Sequence, residues 1–169
     1  MITLIQKQKK QIRTIIKGFT MSIIIRQATL QDAPSILPLM VQLGYPTTSE
    51  KLIERMNFYL ISPDYEVFVA QQENNIVGLV TLTFFQHFVG DKKACRITAL
   101  VVDEKYRKHG IGRLLMTEVE NCAKNFGYSI IELTSGLRRA KDGSHEFYKK
   151  LGYQNEGFMA KLYLRKELS

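Results

Sequence analysis

Two periods of hydrophobicity divide this chain. Apolar residues recur at period two, or in short unbroken runs, over 22–28, 65–71, 76–89, 97–102, 129–134 and 158–165, and each reads as a strand. Helical spacing takes over between them. Ile36, Leu37, Met40, Val41 and Leu43 share one face after Thr29, the expected N-cap, and Gly44 is the expected stop. Pro34 is near enough to the start to be tolerated, and Pro38 is expected to bend the helix. Leu52, Ile53, Met56 and Tyr59 repeat along a second helix, with Thr47 and Glu50 at capping-box spacing. Ile111, Leu114, Leu115, Val119, Cys122, Ala123 and Phe126 give a third, ended by Gly127. A short fourth stops at Gly152, after a polar connection over 137–143.

Three consecutive antiparallel strands, 65–71, 76–89 and 97–102, precede the turn that opens at Asp103, with Gly78 expected to allow a bend or bulge. That order argues against a doubly wound nucleotide fold, where strands and helices alternate throughout. The strand, helix, strand order over 97–134 predicts a parallel crossover that sets 129–134 beside 97–102. Residues 1–20 stand apart as a basic amphipathic N-terminal extension to a domain over 21–169. Ile12, Ile15, Ile16 and Phe19 fall on one helical face, with Lys9, Lys10, Arg13 and Lys17 elsewhere. Three readings stay open: Met21 as the native start, a helix docked on the domain or a second subunit, and a membrane-surface helix. Shortness and the absence of Trp count against the last.

Composition changes this picture little. A chain of 169 residues suits one domain that buries roughly 70% of its unfolded surface. No apolar run approaches the ~20 residues needed to span a bilayer, so no membrane partner is expected. Cys95 and Cys122 form no metal-ligand pair, and no metal is expected; both read as buried, reduced thiols of a cytoplasmic protein. The net charge of +8 raises the question of nucleic acid. Five of those charges lie in residues 1–20, which hold no acid; taking five from +8 leaves +3 and needs no polyanion partner.

The chemistry concentrates after 97–102, where Asp103 opens a turn and Arg107, Lys108, His109, Gly110, Ile111, Gly112 and Arg113 lead into the third helix. Free N–H groups at a helix start, with the positive end of the helix dipole, hold anions. Glycine lets a phosphate approach the main chain closely. The mononucleotide loop needs Lys-Ser/Thr after its last glycine, and Arg113-Leu114 stand there. The dinucleotide fingerprint needs a third glycine, and that position is Leu115. The third pattern, Arg-x-x-Gly-x-Gly, is matched by Arg107, Gly110 and Gly112.

This stretch resembles the acyl-CoA pyrophosphate loop of the GNAT family of N-acetyltransferases. Phe147-Tyr148 before Leu151-Gly152-Tyr153 resembles a second family motif, whose tyrosine lies beside the thioester sulfur. The resemblance covers 22–166. It implies an α/β fold of the α+β kind: a mixed, mostly antiparallel sheet of six to seven strands with a splayed parallel central pair, flanked by about four helices. It implies acetyl-CoA as co-substrate, held by the loop residues and by main-chain groups of Leu100, Val101 and Val102, one of which polarises the acetyl carbonyl. Tyr148 would be the catalytic acid for the departing thiolate. Direct transfer to a primary amine in a ternary complex is implied, because neither cysteine is placed to carry an acyl group.

The chain departs from the family at two places. Thr98 stands near a glutamate that helps deprotonate the amine in many relatives, and Lys141 stands where many have asparagine. Arg138 and Arg139 lie farther from Tyr148 than the double arginine of some small-molecule members, which leaves their contact with cofactor open. Glu66, His87 and Glu132 are the alternative bases, and His145 a residue to orient Tyr148. The segments around 133–136 and 145–148 resemble members that acetylate small amines, including aminoalkylphosphonates, which favours a small-molecule acceptor. A protein Lys or N-terminal acetyltransferase and a non-catalytic acyl-CoA sensor are the alternatives. Dimers are common in the family, so a homodimer is open.

Overall fold

The computed structural model describes residues 10–16, 19–157, 160 and 163–168. Strands β1 (Lys10–Ile16), β2 (Phe19–Gln27), β3 (Tyr65–Gln72), β4 (Asn75–Gln86), β5 (Lys93–Val102) and β6 (Ile130–Leu133) form one sheet in chain order. β1 through β5 pair antiparallel. β6 runs beside β5 in the same direction: the Ser129 N–H donates to the Lys93 carbonyl at 3.1 Å, and three residues further along both strands Arg96 reaches Glu132. β6 has four residues and β5 ten, so β5 continues past the end of β6.

Helices α1 (Ala33–Leu43) and α2 (Ser49–Ile61) cover one face, where Ile36, Leu39, Met40, Leu52 and Met56 pack with Val67, Val69, Leu79 and Val101. Helix α3 (Ile111–Asn125) covers the other, burying Leu115, Met116 and Val119 completely. Each such side chain contributes about 1.5–3 kcal/mol. Gly78 lets α3 come close: a Cβ there would meet Leu115 Cδ1 at 3.1 Å and the Val101 carbonyl at 3.3 Å. The bulge itself falls one residue earlier. Ala70 opposes Gly78 and Gln71 opposes Ile76, so Val77 is the extra residue.

Local polar contacts set the helix starts. A turn of 3₁₀ helix, Leu30–Asp32, precedes α1. Asp32 accepts from the Thr29 N–H at 2.7 Å and the Thr29 hydroxyl at 3.1 Å, and Arg26 forks onto both carboxylate oxygens at 2.8 and 2.7 Å. Thr29 therefore caps the 3₁₀ turn, and α1 begins four residues later. The cap of α2 is Thr48 rather than Thr47: the Lys51 N–H donates to Thr48 Oγ1 at 3.4 Å, and Thr47 Oγ1 instead accepts from Arg55 Nη2 at 2.6 Å.

Three further expectations need correcting. Residues 10–16 are a strand on the edge of β2, not one face of a helix. β-Branched Ile12, Thr14, Ile15 and Ile16 suit a pleated strand, and the pairing to β2 settles a pattern too short to choose its own period. Residues 1–9 and 17–18 lie outside the described ones. β4 ends at Gln86, and Phe88 and Val89 are fully exposed in the turn to β5. Of the strand expected over 158–165, residues 158, 159, 161 and 162 lie outside the described ones, and 160 and 163–165 carry no strand. Among the described residues no helix is long and apolar enough to cross a membrane.

The chain divides into two compact units, Met1–Glu132 and Leu133–Ser169. The second contains a 3₁₀ helix, Leu137–Asp142, where an irregular connection is expected, and helix α4 (Ser144–Lys150), followed by Gly152 at φ +89°.

Candidate active site

The loop between β5 and α3 runs into a helix start that no side chain caps among the described residues. Gly110, at φ +79°, caps α3 without a side chain, and the first amide taken inside the helix is that of Leu114, which donates to the Gly110 carbonyl at 3.1 Å. Among the described residues no group accepts from the N–H of His109, Gly110, Ile111, Gly112 or Arg113. Lys108 is left-handed at φ +64°, His109 is not, and Gly110 is again. Alternating hands turn successive N–H groups to one side, an anion-holding concavity. The Nδ1 of His109 is buried and has no hydrogen-bond partner among the described residues.

Two contacts fix where the loop leaves the sheet. Gln42 of α1 donates from Nε2 to Asp103 Oδ2 at 2.9 Å and accepts the Glu104 N–H on Oε1 at 2.9 Å. Arg107 Nε donates to the Val102 carbonyl at 3.0 Å, so its guanidinium is anchored to the end of β5. Sequence reasoning missed Gln42, because a polar residue on a helix reads as solvated.

The end of β5 offers main chain as well. The Asp103 N–H donates to the Val77 carbonyl at 2.9 Å, and Val101 opposes Leu79. Antiparallel ladders alternate, so Val101 spends its main-chain groups on β4, while Leu100 and Val102 turn theirs to the opposite edge. The Val102 carbonyl accepts from Arg107, and the buried Val101 side chain belongs to the core.

On the face under α1 and α2 the sheet opens into a pocket of about 250 Å³. Its floor is a second bulge: Ala99 opposes Thr81 and Ile97 opposes Leu82, which leaves Thr98 as the extra residue. Thr98 Oγ1 and Thr81 Oγ1 are 2.7 Å apart, and both line the pocket with Ala99. Met40, Met56 and Leu79 give it apolar walls. Leu100, the residue after Ala99, is thus where the pocket floor meets the open edge of β5.

None of the three alternative bases lines this pocket. Glu66 opposes Leu82 and accepts from Gln27 Nε2 at 2.5 Å; its neighbour Val67 lines the pocket, and alternation puts Glu66 on the other face. Glu132 is engaged by Arg96, whose Nε donates at 2.8 Å, with His87 Nε2 3.7 Å from its other oxygen. Among the described residues no group of three or more His, Cys, Asp and Glu is arranged to hold a metal ion.

Tyr148 belongs to the second unit. Its ring lies edge-on to Phe147 at 5.2 Å and to Tyr153 at 6.0 Å. Burial pushes its phenol above the ordinary tyrosine range, against a smaller opposing effect of Arg139 and with a small addition from Asp142. Arg139 pairs with Asp142 at 3.2 Å. His145 Nε2 lies 3.2 Å from the Gly136 carbonyl, so it ties α4 to the turn before it.

Known proteins share this plan. The model of the acetyltransferase (GNAT) family matches residues 33–153. The aminoalkylphosphonate N-acetyltransferase of Salmonella typhimurium is 25% identical over 135 residues, 79% of this chain and 86% of that protein. A probable N-acetyltransferase 14 of Danio rerio is 32% identical over 96 residues, 54% of this chain but 31% of that longer protein. The crystal structure of a GNAT family acetyltransferase from Staphylococcus aureus superposes with a TM-score of 0.72 at 26% identity, covering 86% of this chain and 98% of that one. The family match begins at α1 and ends at Tyr153, taking in the bulged strand, the uncapped helix and the tyrosine pair: this chain is an acetyltransferase of the GNAT family.

Proposed function

We propose that the protein transfers the acetyl group of acetyl-CoA to the primary amine of a small molecule, directly and in a ternary complex, in the cytoplasm. The observation that carries this reading is the succession of three features along β5 and the loop after it: a pocket floor at Thr98 and Ala99, main chain turned away from β4 at Leu100 and at the Val102 N–H, and a helix start at Ile111 with no side-chain cap.

The residues present fit coenzyme A. Five amides without partners among the described residues, on a backbone of alternating hand, suit a diphosphate, with Lys108 and Arg113 adding charge. In this reading Arg107, Lys108, His109, Gly110, Ile111, Gly112 and Arg113 hold the diphosphate. Leu100 and Val102 pair with the amide arm, and Val101 sets their spacing. When bound, acetyl-CoA supplies an acyl carbon activated by a thiolate leaving group. An N–H at this edge donates to the acetyl oxygen, an interaction that strengthens as charge gathers there. The amine nitrogen forms the new bond as the carbon–sulfur bond breaks, and a proton from nitrogen is balanced by one gained at sulfur. Tyr148 is the donor we assign to that sulfur, because it keeps its proton at neutral pH. In this reading the amine enters over the Thr81–Thr98 hydroxyl pair, which would pass its surplus proton to water.

The test is thiol release from acetyl-CoA over a panel of small amines, beside calorimetric binding of coenzyme A. Release that needs an amine supports the reading. Coenzyme A binding without release from any amine would make the protein a sensor, and no binding at all would end the proposal.

A further inference from the structure

The pocket under α1 and α2 holds a charge arrangement the transfer reaction does not require. Among its described lining residues Arg55 alone carries a formal charge, and no carboxylate lines it. Arg55 is positioned by its own helix and the residues just before it: Nη2 donates to Thr47 Oγ1 at 2.6 Å and Nε to the Lys51 carbonyl at 3.4 Å. Both acceptors are neutral, and among the described residues no carboxylate pairs with the guanidinium. A guanidinium has five N–H donors in a planar fork, so three remain for a ligand.

We propose that the acceptor is a small amine bearing one anionic group, a carboxylate, phosphonate or sulfonate, and that Arg55 binds this group. The inference rests on the acetyltransferase reading and names its substrate class. The carbon skeleton lies along Met40, Met56 and Leu79, and the amine approaches Thr81 and Thr98. At roughly 30 Å³ per water, the pocket of about 250 Å³ has the room of about eight waters, so the buried part of the acceptor is small. A polycationic amine fits poorly, because it brings a second ammonium to a wall that offers a like charge and no carboxylate. An amine with an apolar end leaves the exposed Arg55 to water and gains nothing from it. An anion is the partner that satisfies both the fork and the charge.

Matched pairs of amines test this. Thiol release is followed with 2-aminoethylphosphonate, 4-aminobutyrate and phenylalanine, against ethylamine, butylamine, phenethylamine and putrescine. The anionic member of a pair is expected to win by about 10- to 100-fold in kcat/KM, mostly through KM, the span of a charge-assisted hydrogen bond. Arg55→Met is expected to bring that ratio close to one, and Arg55→Lys to restore part of it for the phosphonate. Arg55 is exposed, so both variants should melt near the wild type. A preference for neutral or cationic amines, or an equal loss for both members in Arg55→Met, would overturn the proposal while leaving the acetyltransferase reading intact. Absence of thiol release with every amine would count against that reading instead. Calorimetric binding of the same anionic amines, lost in Arg55→Met, then decides the Arg55 site: no binding to the wild type overturns it.

Discussion

Gln42 and Asp103, 61 residues apart in the chain, are joined at 2.9 Å, and the other end of the same amide holds the Glu104 N–H. One side chain of α1 thus fixes the point where β5 gives way to the anion-holding loop. Replacing Gln42 with Ala removes two hydrogen bonds of about 1 kcal/mol each. We expect KM for acetyl-CoA to rise about five-fold with kcat little changed, because the loop is mispositioned and the transfer step untouched. Steady-state kinetics with acetyl-CoA varied would show it; an unchanged KM would mean the loop holds its shape unaided.

Tyr148→Phe deletes the assigned donor and little volume. The expected loss is about 10²-fold in kcat, with KM for acetyl-CoA within a factor of two. The pH profile gives a sharper reading. Burial foremost raises this phenol, and the donor works only while protonated. Activity dependent on it persists through pH 7–9 and falls only as pH rises through a value above the usual ~10. That alkaline limb should vanish in Tyr148→Phe, and its survival there would assign it to another group.

Asp32 is the acid that holds β2 to the start of α1. Burial works to raise its pKa, but the Arg26 fork and the Thr29 N–H outweigh it, and the net shift is downward. A carboxylate with a lowered folded pKa contributes stability above its unfolded value near 3.9, and loses it as pH falls through the lower folded one. Asp32→Ala leaves Arg26 without its ion partner and should cost about 3 kcal/mol at pH 7. The difference should shrink below pH 4. Urea denaturation at pH 7 and pH 3.5 measures both.

Cys95 is completely buried, and desolvation foremost raises its thiol to about 11. At pH 8 roughly one molecule in a thousand then carries the thiolate. Cys122 is buried too. Ellman's reagent should find almost no reactive thiol in the native protein and two after denaturation, and alkylation under native conditions should leave turnover intact. Fast inactivation would point to a covalent acyl carrier that the direct mechanism lacks.

The strand, loop and helix over 97–126 were readable because apolar periodicity, two glycines and a basic run agree on one local structure. Polar residues whose meaning is set across the fold were not. Thr47 and Thr48 look equally able to cap α2, and only the reach of Arg55 back to Thr47 separates them. Alternation along β3 sets Glu66 and Val67 on opposite faces, but which face carries the pocket is set by where α1 and α2 pack. Gln42 and Arg55 sit among the polar residues of their helices and carry no periodic mark. Thr98 was noted only as the residue standing where relatives keep an acid; its place on the pocket floor required the bulge.

β1 leaves its mark on how the protein behaves in solution. Lys10 to Ile16 occupy the outer rim of β2 from Ile25 to Phe19, and so shield its peptide groups from other chains. A chain shortened to Met21 would uncover that rim from Met21 to Ile25, a ready template for strand addition between molecules. We expect such a chain to self-associate with rising concentration in sedimentation experiments, where the longer one does so less. The basic extension would then serve chiefly as a guard against aggregation.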